Sequence, residues 1–328
     1  MTPFSENTLR GGCLAICYDF GFMPEYSIGV DLGGTNLRAA AVSRDGKIME
    51  KISGSTDLAE GRDAVIGDMV DSVNKLKSIC GENTLVGVGI GVPGFILLEK
   101  GVIVGSNNLP EFEGFPVRDE IERRLHTPIY LENDANAAAL GEKWMGAGRD
   151  VDDLVLLTLG TGVGGGIISH GRVLHGYVGM AGELGHMTVV PSGNPCGCGN
   201  NGCLEKHASA TAITSMARLM SLGDDNITSE GVYKLALGGN EKAQMIFRTM
   251  GVNLGIALAT LINIFNYPLY LLSGGVLPAW DQFAPPMMAE IGKRSYTFRH
   301  VPTRIEKATL GNEAGLFGAA YLPFQGKQ

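Results

Sequence analysis

The sequence predicts an α/β protein built as two similar lobes that face each other across a cleft, and three observations carry that expectation. The chain has 328 residues, a length that at ordinary domain sizes corresponds to about two domains. Strand-like runs alternate with helix-like runs along most of it, the pattern of layered α/β architecture. Two segments also repeat one plan. YSIGVDLGGTNLRAAAVSRDGKI (26–48) reads as strand, Gly-rich turn, strand, tight turn at Asp45-Gly46, strand. LVLLTLGTGVGGGIISHGRVL (154–174) does the same, with His170-Gly171 at its second turn. A duplicated hairpin unit implies two lobes, each offering one Gly-rich loop to the space between them.

Between the repeats, Arg62 to Cys80 reads as a helix, with Val65, Met69, Val73, Leu76 and Ile79 along an apolar stripe. LVGVGIGV (85–92) reads as a buried strand ending at Pro93-Gly94. PIYLENDANAAALGEKWMG (128–146) reads as a strand running into an Ala-rich helix. It places Asp134 at or near the helix N-terminus, where a carboxylate is favoured as a cap. Further on, Lys242 to Phe265 is expected as a long helix, Leu269 to Leu272 as a strand, and Gly274-Gly275 as the turn after it. The longest apolar region, Gly251 to Val276, is broken by Asn253, Asn263, Asn266 and Pro268, so it fits a core helix followed by a strand better than a membrane span. Residues 1–25 carry little pattern and read as an N-terminal extension, disordered or not translated, with Met23 as an alternative start.

Composition narrows the function classes. Hydrophobic residues make up 45% and charged residues 18%, which describes a globular protein. The net charge is -8 and no basic stripe is visible, so nucleic acid is not an expected partner. Arg10 is followed by a short apolar run that Asp19 interrupts, a poor secretory signal. The six cysteines, Cys13, Cys17, Cys80, Cys196, Cys198 and Cys203, are too sparse for a small disulfide scaffold. A cytoplasmic location is expected, with reduced thiols.

Two Gly-rich loops are candidates for phosphate, because a backbone that wraps phosphate needs converging N–H groups and no Cβ in the way. DLGGTN (31–36) offers Thr35 and Asn36 as donors and Asp31 as a partner for Mg2+ or its waters. LGTGVGGG (159–166) offers Thr161. Neither matches the nucleotide-binding P-loop, and either alone is equally a plain hairpin turn; the repetition favours phosphate. GELGHMTVVPSGNPCGCGNNGCLE (182–205) gathers one His, three Cys and two Glu. His186, Cys196, Cys198 and Cys203 suit tetrahedral Zn2+ by type, while closely spaced thiols also suit a disulfide-stapled loop or a redox pair.

These blocks, DLGGTN, ENDANAAALGE (132–142), LGTGVGGG and GELGH…CGCGNNGCLE, resemble the ROK family of sugar kinases and repressors, members of the actin-like, hexokinase-like ATPase superfamily. LGNEAGLFGAAYL (310–322) is similar to that family's closing helix, and the likeness runs in order from about Tyr26 to the C-terminus. The resemblance implies a two-lobed actin-like ATPase (ribonuclease H-like) fold with an interdomain cleft. Residues 26–136 plus 306–328 would form the small lobe, and 137–305 the large lobe with a zinc-binding segment at 186–203.

It also implies ATP-dependent phosphorylation of a hexose, glucose to glucose 6-phosphate first, with N-acetylmannosamine, N-acetylglucosamine, fructose, mannose and allose as alternatives and polyphosphate as an alternative donor. By the family pattern Asp134 is the general base. Gly94, Asn108, Asn133, Glu183, His186 and Glu205 would hold the sugar. Asp31, Gly33, Gly34, Thr35, Asn36, Gly160, Thr161 and Gly162 would hold ATP and its Mg2+, with LLSGGV (271–276) supplying Gly274 and Gly275 against the adenosine. His186, Cys196, Cys198 and Cys203 would hold a structural Zn2+, since four protein ligands close the coordination sphere. The free nitrogen of a zinc-bound imidazole could then take a sugar hydroxyl. His175 and His207 fit no motif and read as structural. A homodimer or homotetramer is the expected assembly.

Repressors of the family carry a winged helix-turn-helix before the first phosphate loop, roughly sixty residues at usual domain sizes. Only thirty residues precede Asp31, so a sugar-sensing regulator is the weaker reading. A catalytically dead sugar-binding protein would not need Asp31, both Gly loops and Asp134.

Overall fold

The computed structural model describes residues 25–33, 36–55, 60–81, 84–106, 109–224 and 226–326. The expected extension up to residue 24, and the candidate site residues Gly34, Thr35 and Asn108, lie outside the described residues.

In chain order the strands and α-helices are β1 (Tyr26–Leu32), β2 (Asn36–Ser43), β3 (Ile48–Ser55), α1 (Arg62–Cys80), β4 (Leu85–Val92), β5 (Phe95–Leu97), β6 (Val102–Gly105), α2 (Val117–Leu125), β7 (Ile129–Asn133) and α3 (Asp134–Trp144). They continue with β8 (Leu154–Leu159), β9 (Val163–Ser169), β10 (Arg172–Val173), α4 (Glu205–Ala208), α5 (Ala210–Leu219), α6 (Ser229–Leu237), α7 (Glu241–Phe265), β11 (Leu269–Ser273), α8 (Trp280–Arg294), β12 (Arg304–Lys307) and α9 (Ala314–Gln325). The repeat seen in the sequence extends to whole sheets. One has the order β3-β2-β1-β4-β7 and the other β10-β9-β8-β11-β12. Each is an antiparallel three-strand meander continued by two parallel strands, β4 beside β1 and β7 beside β4 in the first, β11 beside β8 and β12 beside β11 in the second.

Alternation of side chains on each strand builds the layers. On one face of the first sheet, Tyr26, Ile28, Val30 and Leu32 pack with Val65, Met69 and Leu76 of α1 and Ile121 and Leu125 of α2. The opposite face is lined by Ala40 and Val42, which meet Leu316 and Ala320 of α9. In the second sheet Leu154, Leu156, Leu269 and Leu271 pack on Ala138, Ala139 and Leu140 of α3 and on Ala314 and Leu322 of α9. Its other face, with Val155, Leu157, Tyr270 and Leu272, packs on Leu254, Leu258 and Phe283 of α7 and α8. Helices α3 and α9 therefore form the shared layer between the sheets. They cross at backbone distance: a Cβ on Gly318 would lie 1.6 Å from Ala137 O, and one on Gly141 2.1 Å from Ala314 O. Glu142 of α3, fully buried, accepts from the backbone N–H of Thr309 and Leu310 at 3.0 and 2.7 Å, which joins that layer to the end of β12.

Three expectations change in detail. Ile79 leaves the α1 stripe and is 54% exposed, because a step of three after Leu76 carries it past the buried face while the helix ends at Cys80. The long helix begins at Glu241, where the Asn240 side chain caps it by accepting from Ala243 N at 3.1 Å. The boundary drawn after residue 305 falls inside β12, whose Glu306 and Lys307 pair with Leu271 and Leu272 of β11. Helix α7 is long and apolar enough to cross a membrane by composition, and Phe247, Met250, Leu254 and Leu258 spend that apolarity on the core beneath the second sheet.

Candidate active site

Loops after the carboxyl ends of parallel strands are where α/β sheets bind ligands, and the described candidate residues collect there or beside it. Asp31 lies at the end of β1 and Gly33 just after it, Gly94 follows β4, Asn133 and Asp134 join β7 to α3, Gly160 to Gly162 follow β8, and Gly274-Gly275 follow β11. Two of these turns touch. A Cβ on Gly274, which has φ 103°, would lie 2.4 Å from Leu159 O, and Val276 N donates to the same oxygen at 3.3 Å. The carbonyl groups of the Gly160–Gly162 turn are held from outside, Gly160 O by Ala210 N at 2.8 Å and Thr161 O by the Thr211 hydroxyl at 2.7 Å. In the first sheet Gly33 N donates to Asn36 O at 2.8 Å.

The run 159–166 divides by role. Its turn is 160–162, whereas Gly164, Gly165 and Gly166 lie on β9 and serve packing. A Cβ on Gly164 would meet the Ala135 side chain at 3.1 Å, one on Gly165 Gly182 O at 2.6 Å, and one on Gly166 the Ala139 side chain at 2.6 Å.

At the β7–α3 junction the cap and the acid are different residues. The Asn133 side-chain oxygen accepts from Ala135 N and Asn136 N at 2.9 and 3.2 Å, and its Nδ2 donates to Gly94 O at 3.2 Å. Asn133 is thus the helix cap, with one Nδ2 hydrogen left for a ligand. Asp134 is free of that duty and occupies the first helical position, its Oδ1 accepting Ala135 N at 2.9 Å. Burial pushes the Asp134 carboxyl up to about 6; the Ala135 N–H works against this, while the negative charges of Asp31 and Glu183 reinforce it. Asp31 is also raised, chiefly by burial, against the pull of Arg38, whose guanidinium lies 3.9 Å away. Acids from both ends of the site thus converge, and a divalent cation brought with a nucleotide would relieve their repulsion at Asp31.

The Cys-rich segment folds as a knuckle. Cys196 N donates to Asn200 O at 2.8 Å, Gly199 N to Cys196 O at 3.0 Å, and Leu204 N to Met187 O at 2.8 Å. Cys198 and Cys203 sulfurs are 3.6 Å apart, as are Cys196 Sγ and His186 Nδ1, and the four ligand atoms all lie within 4.8 Å of one another. A disulfide needs about 2.0 Å, whereas tetrahedral ligands around Zn2+ at about 2.3 Å stand about 3.8 Å apart. The donor set therefore fits a closed four-ligand metal site. His186 presents Nδ1 to the cluster and Nε2 to Glu183, 3.8 Å away, so one nitrogen is left outside the cluster. Burial raises the Glu183 carboxyl, His186 lowers it and Glu205 raises it again. Glu205, expected on the sugar, also reaches the phosphate turn: its Oε2 accepts Val163 N at 3.4 Å and would be 2.4 Å from a Cβ on Gly162.

Beneath this junction lies a buried polar network in which two residues of the ENDANAAALGE block meet a histidine that fits no motif. Glu132, 1% exposed, accepts from Asn133 N and Asn136 Nδ2 through Oε1, and lies 2.6 Å from His175 Nε2 through Oε2. His175 and Glu132 are 43 positions apart, and only the fold joins them. His207, also buried, has its Nε2 without a hydrogen-bond partner.

Comparison with known proteins agrees with this arrangement. The family model described as ROK family matches residues 27–325. A glucokinase from Thermotoga maritima is 39% identical over 311 residues, covering 90% of this chain and 96% of that one. The ROK hexokinase structure from Thermus thermophilus matches with a TM-score of 0.81 at 32% identity, over 92% of this chain and all of that one. A ROK family glucokinase from Streptomyces griseus, solved with glucose and AMPPNP, gives a TM-score of 0.75 at 32% identity over the same shares. With the family model spanning both sheets, the β7–α3 junction and the Cys-His knuckle, this chain belongs to the ROK family.

Proposed function

We infer that the protein is an ATP-dependent sugar kinase, and we propose glucose as its substrate, phosphorylated to glucose 6-phosphate. The observation that carries the reading is Asp134, a buried carboxyl held near neutral pKa between two turns able to hold phosphate and the Glu183–His186 pair. Phosphoryl transfer asks a protein for position, charge neutralisation and a group to take the attacking hydroxyl's proton. Glu183, Glu205 and the outward nitrogen of His186 orient the hexose by accepting from or donating to its hydroxyls, and the spare Nδ2 hydrogen of Asn133 adds one donor. Asp134 accepts the proton of the attacking hydroxyl as its oxygen bonds to the γ-phosphorus, and the β–γ bridging oxygen leaves with ADP. Asp31 would hold Mg2+, which neutralises phosphate charge when bound. The two Gly-rich turns, with Thr161 and Asn36, receive the phosphates, and Gly274-Gly275 leave room for the adenosine.

The nearness of the S. griseus glucokinase, solved with glucose and AMPPNP, supports both substrate and donor. Zinc is proposed at His186, Cys196, Cys198 and Cys203 on the ligand spacing, as a brace for Glu183 and Glu205. A cytoplasmic location follows from the need for ATP. Assembly as a homodimer or homotetramer belongs to the same proposal, supported by exposed Leu219 and Met245 beside an apolar groove between α5 and α7, and light scattering giving a monomer at working concentration would remove it.

An ADP-release assay across hexoses and N-acetylhexosamines, with polyphosphate as a second donor, tests the whole reading. Glucose with ATP is expected to show the highest kcat/KM. Sugar binding without ADP release from any sugar would point instead to a sugar-sensing regulator.

A further inference from the structure

We propose that His175 and Glu132 are a positioning pair that holds the loop delivering Glu183 in register with the strand-to-helix junction delivering Asp134. The inference rests on the reading of Asp134 as base and Glu183 as sugar ligand. A carboxylate as buried as Glu132 must have its lone pairs occupied, or it destabilises the fold. Here Oε1 takes Asn133 N at 2.9 Å and Asn136 Nδ2 at 3.1 Å, both on the base's own junction, and Oε2 faces His175 Nε2 at 2.6 Å. The two atoms stand at hydrogen-bond distance, the imidazole N–H donating to the carboxyl oxygen.

His175 is also the near end of the sugar loop. Its carbonyl accepts Ala181 N at 3.1 Å, closing residues 175–181, and Gly182 at φ 97° then turns the chain into Glu183. Asn136, 2% exposed, lies beside the same loop. Its Oδ1 has no hydrogen-bond partner, and a Cβ on Gly182 would lie 3.6 Å from it. One buried carboxylate is therefore bonded to the base junction on one oxygen and to the sugar loop on the other, and a hexose spanning Asp134 and Glu183 requires the two to keep a fixed separation. Among the described residues, the side-chain hydrogen bonds of His175 and Glu132 run to Asn133, Asn136 and each other and to neither phosphate turn, so the pair should serve the sugar and leave the nucleotide alone.

The test is steady-state kinetics of His175→Ala, His175→Gln and Glu132→Gln, with hexose and ATP varied separately and Asp134→Asn in the same assay. His175→Ala is expected to raise the hexose KM about tenfold, the scale of one lost buried hydrogen bond, with the ATP KM within twofold of wild type. His175→Gln keeps an amide donor and should recover most of the loss, which separates donor geometry from general damage; Glu132→Gln, should it fold poorly, leaves the His175 series intact. Unchanged hexose kinetics in His175→Ala, a parallel rise in the ATP KM, or failure of Gln to recover would overturn the pair. Wild-type enzyme without hexose turnover would overturn it together with the kinase reading, whereas active wild type with an unaffected His175→Ala sinks the pair alone.

Discussion

Replacing Asp134 with Asn is expected to abolish turnover and, in the same variant, to make the folded protein more stable. The amide cannot take the hydroxyl proton, and general-base contributions are on the order of 10²–10⁴-fold, so kcat should fall by about that factor. Hexose affinity should survive, because Asn keeps the size and hydrogen-bonding reach of Asp. The stability change has the opposite sign for a physical reason. Burial raises the folded-state carboxyl from the ordinary 3.8 to about 6, so the native protein binds this proton more tightly than the unfolded chain does. That contribution is fully present below about 3.8 and is lost as pH rises through about 6. Above it, the ionised group costs on the order of 3 kcal/mol, which the Asn variant never incurs. The Tm of Asp134→Asn should exceed wild type at pH 8, with the gap closing toward pH 4. For the wild-type enzyme, kcat/KM for the hexose should fall with decreasing pH below about 6, since the base must be ionised. Near-normal turnover in the variant refutes the base assignment, and a lowered Tm at pH 8 refutes the desolvation argument. Stability lost to a functional group is the ordinary trade at active sites.

The expected division of labour at this junction was half legible in the sequence. ENDA marks a strand running into a helix, and Asp, Asn and Glu are all plausible caps; which one caps depends on backbone angles that spacing does not encode. Asn133 takes the cap at φ -64°, ψ 145°, leaving Asp134 as a free acid. The duplicated hairpins were legible because β-branched and glycine patterns are local, and they predicted two sheets whose full order proved the same. Helix α8 was not, because Pro285 and Pro286 stand inside it and read as a break. The glycines of β9 look identical to those of the turn before it, although only distance to Ala135, Ala139 and Gly182 shows that they serve packing. His175 carried no motif for a related reason: it sits in the loop after β10 while its partner Glu132 lies on β7, 43 positions away, and long-range pairs leave no periodic trace. The Cys-His block, by contrast, announced its chemistry through residue type, and only the choice between metal and thiol pairing needed coordinates.

Cys198→Ser is expected to lose bound zinc and hexose affinity together. The knuckle has few apolar anchors: Cys203 and Leu204 are buried, while Pro195, Cys196, Cys198 and Gly199 are exposed or half-buried. Its backbone bonds alone are too few to order some ten residues against their chain entropy. A structural zinc site supplies roughly 10–16 kcal/mol in small zinc-binding peptides, enough to decide whether this segment is folded. Glu183 lies three residues before one proposed ligand and Glu205 two after another, so loosening the knuckle would release both carboxylates proposed to hold the sugar, and the His186 ring, at once. The first-sheet core, with Tyr26, Val30, Met69 and Ile121, shares no residue with the knuckle and should keep its structure. The expected result is a fall in zinc content from one per chain, a rise in hexose KM of about tenfold or more, and a far smaller change in the ATP KM; full hexose affinity with no metal bound would end the brace account. Metal replacement separates bracing from catalysis. Four protein ligands leave no position for water or substrate, so Co2+ or Cd2+ in the same tetrahedral site should restore hexose KM and leave kcat close to that of the zinc form. A kcat that tracked the Lewis acidity of the substituted ion would place the metal in the chemistry instead.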